Sequence, residues 1–308
     1  MVGRRYLLIG LPESGKTTFI GALWHVVQAN EVASALKLHR LVGDRTYLNA
    51  LRDAWAQCAP MPRTSQQGDT MVRMLLADAA KNVHELWLPD MAGETFRAHW
   101  ANREWDASYD SLIEQAEGAL IFIRGGRVDE PLSLVGGNWL AEKIADASSQ
   151  AGDAEVERDA TEAVTSAVPE AEGMKAATGV PVPWDANESP TQAQLVDLLQ
   201  LLMWRRPTVR WRIAIVMSAW DEVRDLDRTP EQCCAERVPL LAQFLRSNER
   251  RLNIRYYGVS AQGGAIPRDN KRLLSLTHPS RRIEVVCSHA PPTNDITLPL
   301  RELAGDEG

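Results

Sequence analysis

The sequence has no cysteine pair at the spacing of a metal site or a disulfide framework. Cys58, Cys233, Cys234 and Cys287 include no C-x-x-C, and the adjacent Cys233 and Cys234 are a poor start for either. This disfavours a stapled secreted scaffold and fits a reducing compartment. Nor is there an apolar run near the roughly 20 residues that a membrane helix needs. The longest runs, Ala119 to Ile123 and Ile213 to Met217, read as buried strands, so no membrane insertion is expected. The opening MVGRRYLLIG carries two arginines but no cleavage-like site, so no signal peptide is expected and the cytoplasm is the expected location. An excess of basic residues is missing as well. The net charge is -7, which argues against a duplex-binding surface and leaves nucleic acid out of the expected partners. No internal repeat is visible.

The chain has 308 residues, 44% hydrophobic and 24% charged, close to the soluble globular average and enough to bury one sizeable core. Residues 1–308 read as a single domain. Six segments read as strands: Tyr6 to Gly10, Met71 to Ala77, Glu85 to Leu88, Gly118 to Ile123, Trp211 to Met217 and Arg255 to Val259. Helical periodicity runs from Lys16 to Gln28 through Phe19, Ile20, Leu23, Val26 and Val27, and again over Thr191 to Trp204 through Leu195, Leu198, Leu199 and Leu202. Strands interspersed with helices predict an α/β fold with an open, mostly parallel sheet. The short connection between Met71 and Leu88 makes that pair an antiparallel hairpin at the edge. Residues 128–190 break the pattern. They are acidic, Ala-rich and nearly free of aromatics, and read as a mobile or loosely helical insertion. Residues 263–308 read as a C-terminal extension, basic around Lys271 to Arg272 and Arg281 to Arg282, with a short helix near Pro299 to Leu303.

The chemistry begins at Gly10-Leu11-Pro12-Glu13-Ser14-Gly15-Lys16-Thr17, which matches G-x-x-x-x-G-K-[ST] between a predicted strand and a predicted helix. Glycines let such a loop curl until several main-chain N–H groups point at one phosphate, and the helix start adds its positive dipole end. Gly10, Glu13, Ser14, Gly15, Lys16, Thr17 and Thr18 are therefore candidate phosphate-binding residues. Lys16 should reach the β and γ oxygens, and the Thr17 hydroxyl should ligate Mg2+. Further on, Leu86-Trp87-Leu88-Pro89-Asp90-Met91-Ala92-Gly93-Glu94 puts an acid at a strand end and a glycine three residues later, as D-x-x-G. Asp90 is a candidate Mg2+ ligand, and Gly93 a candidate N–H donor to a γ-phosphate. Thr64 or Thr70 could complete the metal shell, with Thr64 preferred because PMPRTSQQGD has loop composition. Arg63 reads first as a solvated arginine and second as a cis arginine finger.

Two later elements concern the base. Ile213 to Asp221 ends in Ser218-Ala219-Trp220-Asp221, and Tyr257 to Gln262 contains Ser260-Ala261-Gln262. The first resembles the guanine-reading N-K-x-D element of Ras-like and translation-factor-class GTPases, with Ser218 and Ala219 in place of Asn and Lys. The second resembles their S-A-K element. That resemblance covers residues 4 to 124 and 191 to 262 and implies a three-layer P-loop G-domain with one antiparallel edge strand. It implies GTP or GDP with Mg2+ as ligands, Asp221 as the acceptor for guanine N1–H and its exocyclic amine, and Ser218, Ser260 and Ala261 as further base contacts. More narrowly, the L-P-D-x-A-G-E form of the second motif and the tail Asp295-Ile296-Thr297-Leu298-Pro299-Leu300 look like bacterial double-GTPase-type proteins associated with conflict and phage-defence systems.

By the same resemblance Glu94 stands where Ras-like enzymes place glutamine, and with Lys16 it forms the candidate catalytic pair. A carboxylate accepts from the attacking water but cannot donate to the transferred phosphoryl group, so slow or partner-stimulated hydrolysis is expected. Phe96, Trp100, Trp105 and Tyr109 follow this loop and read first as core; those exposed would form a docking surface for an effector or activating protein. Three functions stay open: a regulatory GTPase, a nucleotide-holding interaction module with little turnover, and a P-loop ATPase.

Overall fold

The computed structural model describes residues 4–62, 72–88, 99–103, 107–126, 186, 189–224 and 227–305. All lie in one compact unit drawn from Met1–Glu130 and Ala186–Gly308. Apart from Ala186, Ser189 and Pro190, the expected insertion at 128–190 lies outside the described residues.

The strands are β1 (Arg4–Ile9), β2 (Lys37–Val42), β3 (Val72–Ala77), β4 (Val83–Leu88), β5 (Gly118–Arg124), β6 (Trp211–Ser218), β7 (Leu252–Ser260), β8 (Glu284–Cys287) and β9 (Ala290–Thr293). Among the described residues they form a nine-stranded sheet in the order β2-β3-β4-β1-β5-β6-β7-β8-β9. The centre, from β4 through β1, β5 and β6 to β7, is parallel. Both flanks are antiparallel.

All six segments read as strands in the sequence fall on observed ones. The expectation of one antiparallel edge strand needs correction, since β2 lies outside the β3–β4 hairpin and β8 and β9 close the other side. The physical reason is local. β2, KLHRLV, is charged and largely exposed, with a register shift between Leu38 and Arg40, so it shows no clean alternation. β8 has only four residues, and β9 contains Pro291 and Pro292, which cannot donate to a ladder and are tolerated at an edge.

The helices are α1 (Lys16–Ala29), α2 (Arg45–Ala56), α3 (Ala107–Gln115), α4 (Thr191–Arg205), α5 (Pro230–Arg237), α6 (Pro239–Ser247), α7 (Asn270–Leu274) and α8 (Leu298–Ala304). Successive residues of the central strands alternate between two apolar clusters, as a pleated strand requires. Tyr6, Leu8, Leu120, Phe122, Ala214 and Val216 join one cluster, with Phe19 and Leu23 of α1, Leu48 and Trp55 of α2, and Leu300 and Leu303 of α8. Leu7, Ile9, Ala119, Ile121, Ile213 and Ile215 join the other, with Tyr109 of α3, Leu195 and Leu199 of α4, Cys233 and Cys234 of α5, and Leu241 and Leu245 of α6. A strand buried on both faces reads as a continuous apolar run, which is why β5 and β6 were evident in the sequence. All four cysteines are buried and free.

The tail is built into this frame. Asp295 Oδ2 accepts from the Ala35 N–H at 2.7 Å, and Thr297 Oγ1 accepts from the Leu36 N–H at 3.1 Å. The Thr297 hydroxyl donates in turn to Asp295 Oδ1 at 2.6 Å. The D-I-T segment thus fastens the connection between α1 and β2, with Ile296 fully buried between its two polar neighbours. Thr297→Val keeps the shape but strips the acceptor from a buried N–H, so it should lower the unfolding free energy by about 1–3 kcal/mol. Urea denaturation checks this; an unchanged midpoint removes the clamp from the stability of the fold.

Candidate functional site

β1 runs into α1 through the loop Gly10 to Gly15. Glu13 has φ 59° and Gly15 φ 87°, two left-handed residues that reverse the chain before the first helical turn. Among the described residues no side chain caps α1, and no acid lies in its first turn. The Lys16 ammonium folds back over the loop. It donates to the Gly10 carbonyl, to the Leu11 carbonyl at 2.9 Å and to Ser14 Oγ at 3.2 Å. Desolvation lowers its pKa from the ordinary lysine range to about 8. This cation is poorly hydrated and held mainly by neutral carbonyls, a state that a polyanion would relieve.

The loop rests on β6. Ser218, which pairs with Arg124 of β5, donates its hydroxyl to the Ser14 carbonyl at 2.7 Å. Gly15 is required here for space as well as for its φ, because a Cβ would stand 2.7 Å from Ser218 Oγ. Past Ser218, Ala219 adopts φ 50° and a 3-10 turn spans Trp220–Glu222. Trp220 is buried over Gly258 of β7, where a Cβ would come within 2.3 Å of its ring. That turn carries Asp221 beside Ser260, whose hydroxyl donates to Asp221 Oδ1 and accepts from the Gly263 N–H at 3.0 Å. The following carbonyl, that of Ala261, accepts from the Trp55 indole N–H at 2.8 Å. Trp55 is itself covered by the Arg282 guanidinium, 3.9 Å from its ring centroid, and Arg282 also donates to the Trp55 carbonyl.

The loop after β1 and the loops after β6 and β7 meet on one cavity of about 680 Å³, within the usual range of small-molecule sites. Glu13, Ser14, Gly15, Lys16, Thr17 and Thr18 line it on one side, and Ser218, Asp221 and Ala261 on the other. Gly10 and Ser260 act from behind the wall through Lys16 and Asp221. Thr64, Asp90, Gly93 and Glu94 lie outside the described residues, as do Arg63, Thr70, Phe96 and Trp105.

Sequence reading missed Arg124 and Glu222. Arg124 lines the cavity from the end of β5 and donates to Glu222 Oε1 at 2.6 Å and Oε2 at 3.4 Å. That hydrogen bond, with the charges of Glu222, Glu13 and Asp221, raises the guanidinium pKa above the ordinary arginine range against the effect of partial burial. A lone arginine at a strand end carries no motif; only the register that sets it opposite Ser218 reveals it.

Of the aromatic residues after the second acidic motif, Tyr109 is fully buried in the core. The Trp100 indole N–H donates to the Ala186 carbonyl at 2.7 Å and to Ser189 Oγ at 3.1 Å, with the Arg103 guanidinium 4.2 Å from its ring centroid. Among the described residues, no helix is long and apolar enough to cross a membrane.

No curated protein matches the chain significantly. The family profile described as Double-GTPase 1 matches residues 7–303 and so spans the phosphate loop, the sheet, both base-loop elements and the D-I-T tail. Over nearly its whole length, then, this chain belongs to the Double-GTPase 1 family, which implies guanine-nucleotide binding and GTP hydrolysis.

Proposed function

We propose that the chain is a regulatory switch that binds GTP with Mg2+, hydrolyses it slowly or with a partner's help, and presents its nucleotide state to an effector or activating protein in a bacterial defence or conflict system. The observation that carries this reading is the shared cavity. A desolvated ammonium and uncapped helix start stand at one end, and a carboxylate steadied by Ser260 at the other. Helices packed on both sheet faces support the three-layer G-domain architecture.

In this reading the main-chain N–H groups of the Gly10–Thr17 loop cradle the β-phosphate, and Lys16 leaves the loop carbonyls for the β and γ oxygens. Asp221 accepts from guanine N1–H and the exocyclic amine, a pair of donors that adenine does not present there, which counts against the ATPase reading. Thr17 fits the Mg2+ shell by its hydroxyl and its place in the cavity wall; Asp90 and Thr64 are the proposed further ligands from the sequence. The ion supplies charge neutralisation on the phosphate oxygens. Glu94 orients the water without donating to the phosphoryl group, and this residue favours the second reading, a nucleotide-holding module that scarcely turns over.

Nucleotide extracted from the purified protein should be GDP, and GTP turnover with Mg2+ should fall at least about a hundredfold in Lys16→Ala, in keeping with the loss of one charge-stabilising group. GTP recovered unhydrolysed would favour the holding module, and a preference for ATP would sink both. Asp221→Asn should move the preference from guanine toward xanthine, whose O2 accepts where the guanine amine donates; competition binding with GDP and XDP reads this, and an unaltered ratio takes Asp221 out of the site. A third expectation concerns protons. The Lys16 pKa of about 8 is lowered in the unliganded protein, whereas a bound polyphosphate favours the charged amine. Binding of GDP at pH 8 should therefore take up about half a proton, and affinity should decline as pH rises through 8. Calorimetry in buffers of different ionisation enthalpy measures the uptake, and a value of zero contradicts this account.

A further inference from the structure

We infer that Ser218 takes no part in reading the purine and instead serves as a positioning residue that holds the phosphate loop in its gripping shape. The inference rests on the guanine-nucleotide reading above and narrows it. Ser218 opens the S-A-W-D element, so the family resemblance counts it as a base contact, and it lines the cavity.

Its hydrogen-bond inventory says otherwise. A backbone carbonyl can only accept, so in the 2.7 Å contact with the Ser14 carbonyl the Ser218 hydroxyl is the donor. A serine has one such proton. The two acceptors on the major-groove edge of a guanine, N7 and O6, both demand a donor. Ser218 has none left to give. Its carbonyl is engaged as well, accepting from the Gly125 N–H at 3.0 Å just past the end of β5.

Packing fits the same role. Ser218 is 5% exposed and lies against the left-handed bend at Gly15, where an added Cβ would meet its Oγ at 2.7 Å and its Cβ at 2.9 Å. The bend that aims the loop amides at a phosphate is thus propped from below by a strand-end side chain. Breaking the bond would leave the buried Ser14 carbonyl unpaired and the loop without that prop, a defect felt by any ligand that uses the phosphate grip. Guanine selection then falls to Asp221 and to the main chain near Ala261.

The test compares GDP, 7-deaza-GDP and inorganic tripolyphosphate, each with Mg2+, by calorimetric binding to the full chain. Wild type should bind GDP and 7-deaza-GDP within about twofold of each other, since Ser218 has no proton to offer the atom removed. Ser218→Ala should weaken all three ligands by one common factor of about tenfold, the usual scale for an unpaired buried acceptor. A tenfold or greater loss for 7-deaza-GDP on wild type overturns the inference, as does a Ser218→Ala protein that loses GDP affinity while holding tripolyphosphate as before. The 7-deaza comparison needs only wild type, so it decides the matter even if the variant does not fold. Failure of wild type to bind GDP at all, by contrast, removes the guanine-nucleotide reading itself.

Discussion

The left-handed turn at Gly15 is the constraint on which the mouth of this sheet depends. With φ 87° the chain reverses directly before Lys16, and the first residues of α1, Lys16 to Thr18, line the cavity. The same turn brings the loop so close to β6 that only a residue without a Cβ fits against Ser218. Lys16 bends back onto the loop's own carbonyls because that is the polar surface it can reach, and it holds its proton less firmly for being there. Geometry, charge and pKa at this end of the pocket all follow from one backbone conformation.

At the other end of the pocket, order comes from buried side chains. Trp220 fills the space that Gly258 vacates and so fixes the turn that carries Asp221. Ser260 ties that carboxylate to the end of β7, and Trp55 of α2 reaches the next carbonyl, that of Ala261. Arg282 then covers the Trp55 ring from the tail. The loops after β6 and β7 are therefore supported by α2 and by residues beyond 280, neither of which carries any recognisable nucleotide motif. A site whose motif residues are few is held by a larger number of residues whose only mark is that they are buried.

This explains what could be read in advance. β5 and β6 were visible because burial on both faces demands unbroken apolar runs, and the loop after β1 because its Gly and Lys spacing matches the phosphate-binding pattern. Ser260 and Asp221 were legible as a pair only through resemblance, and the structure brings them into direct contact. β2 was hidden by exposed charge, and β8 and β9 by brevity and proline. Arg124 and Trp55 were illegible because their role is set by which strand or loop lies beside them, and neighbours across a sheet are not written in local sequence. Ser218 shows the converse. Its motif position marked it as a base contact, while its partner, Ser14, lies 204 residues away and could only be seen once the chain had folded.

The D-I-T clamp has a consequence for the making of the protein. Its partners are the amides of Ala35 and Leu36, some 260 residues earlier, and the Arg4 guanidinium likewise reaches the Ala304 carbonyl. α8 packs over β4, β5 and β6 on the sheet face that α1 and α2 also cover, so that face is completed only when residues near 300 meet elements near 35. Such long-range closure folds slowly and leaves half-finished sheets prone to stick to one another. The D-I-T clamp thus couples the ordering of the connection between α1 and β2 to the docking of α8, two parts of the fold that are far apart in the chain.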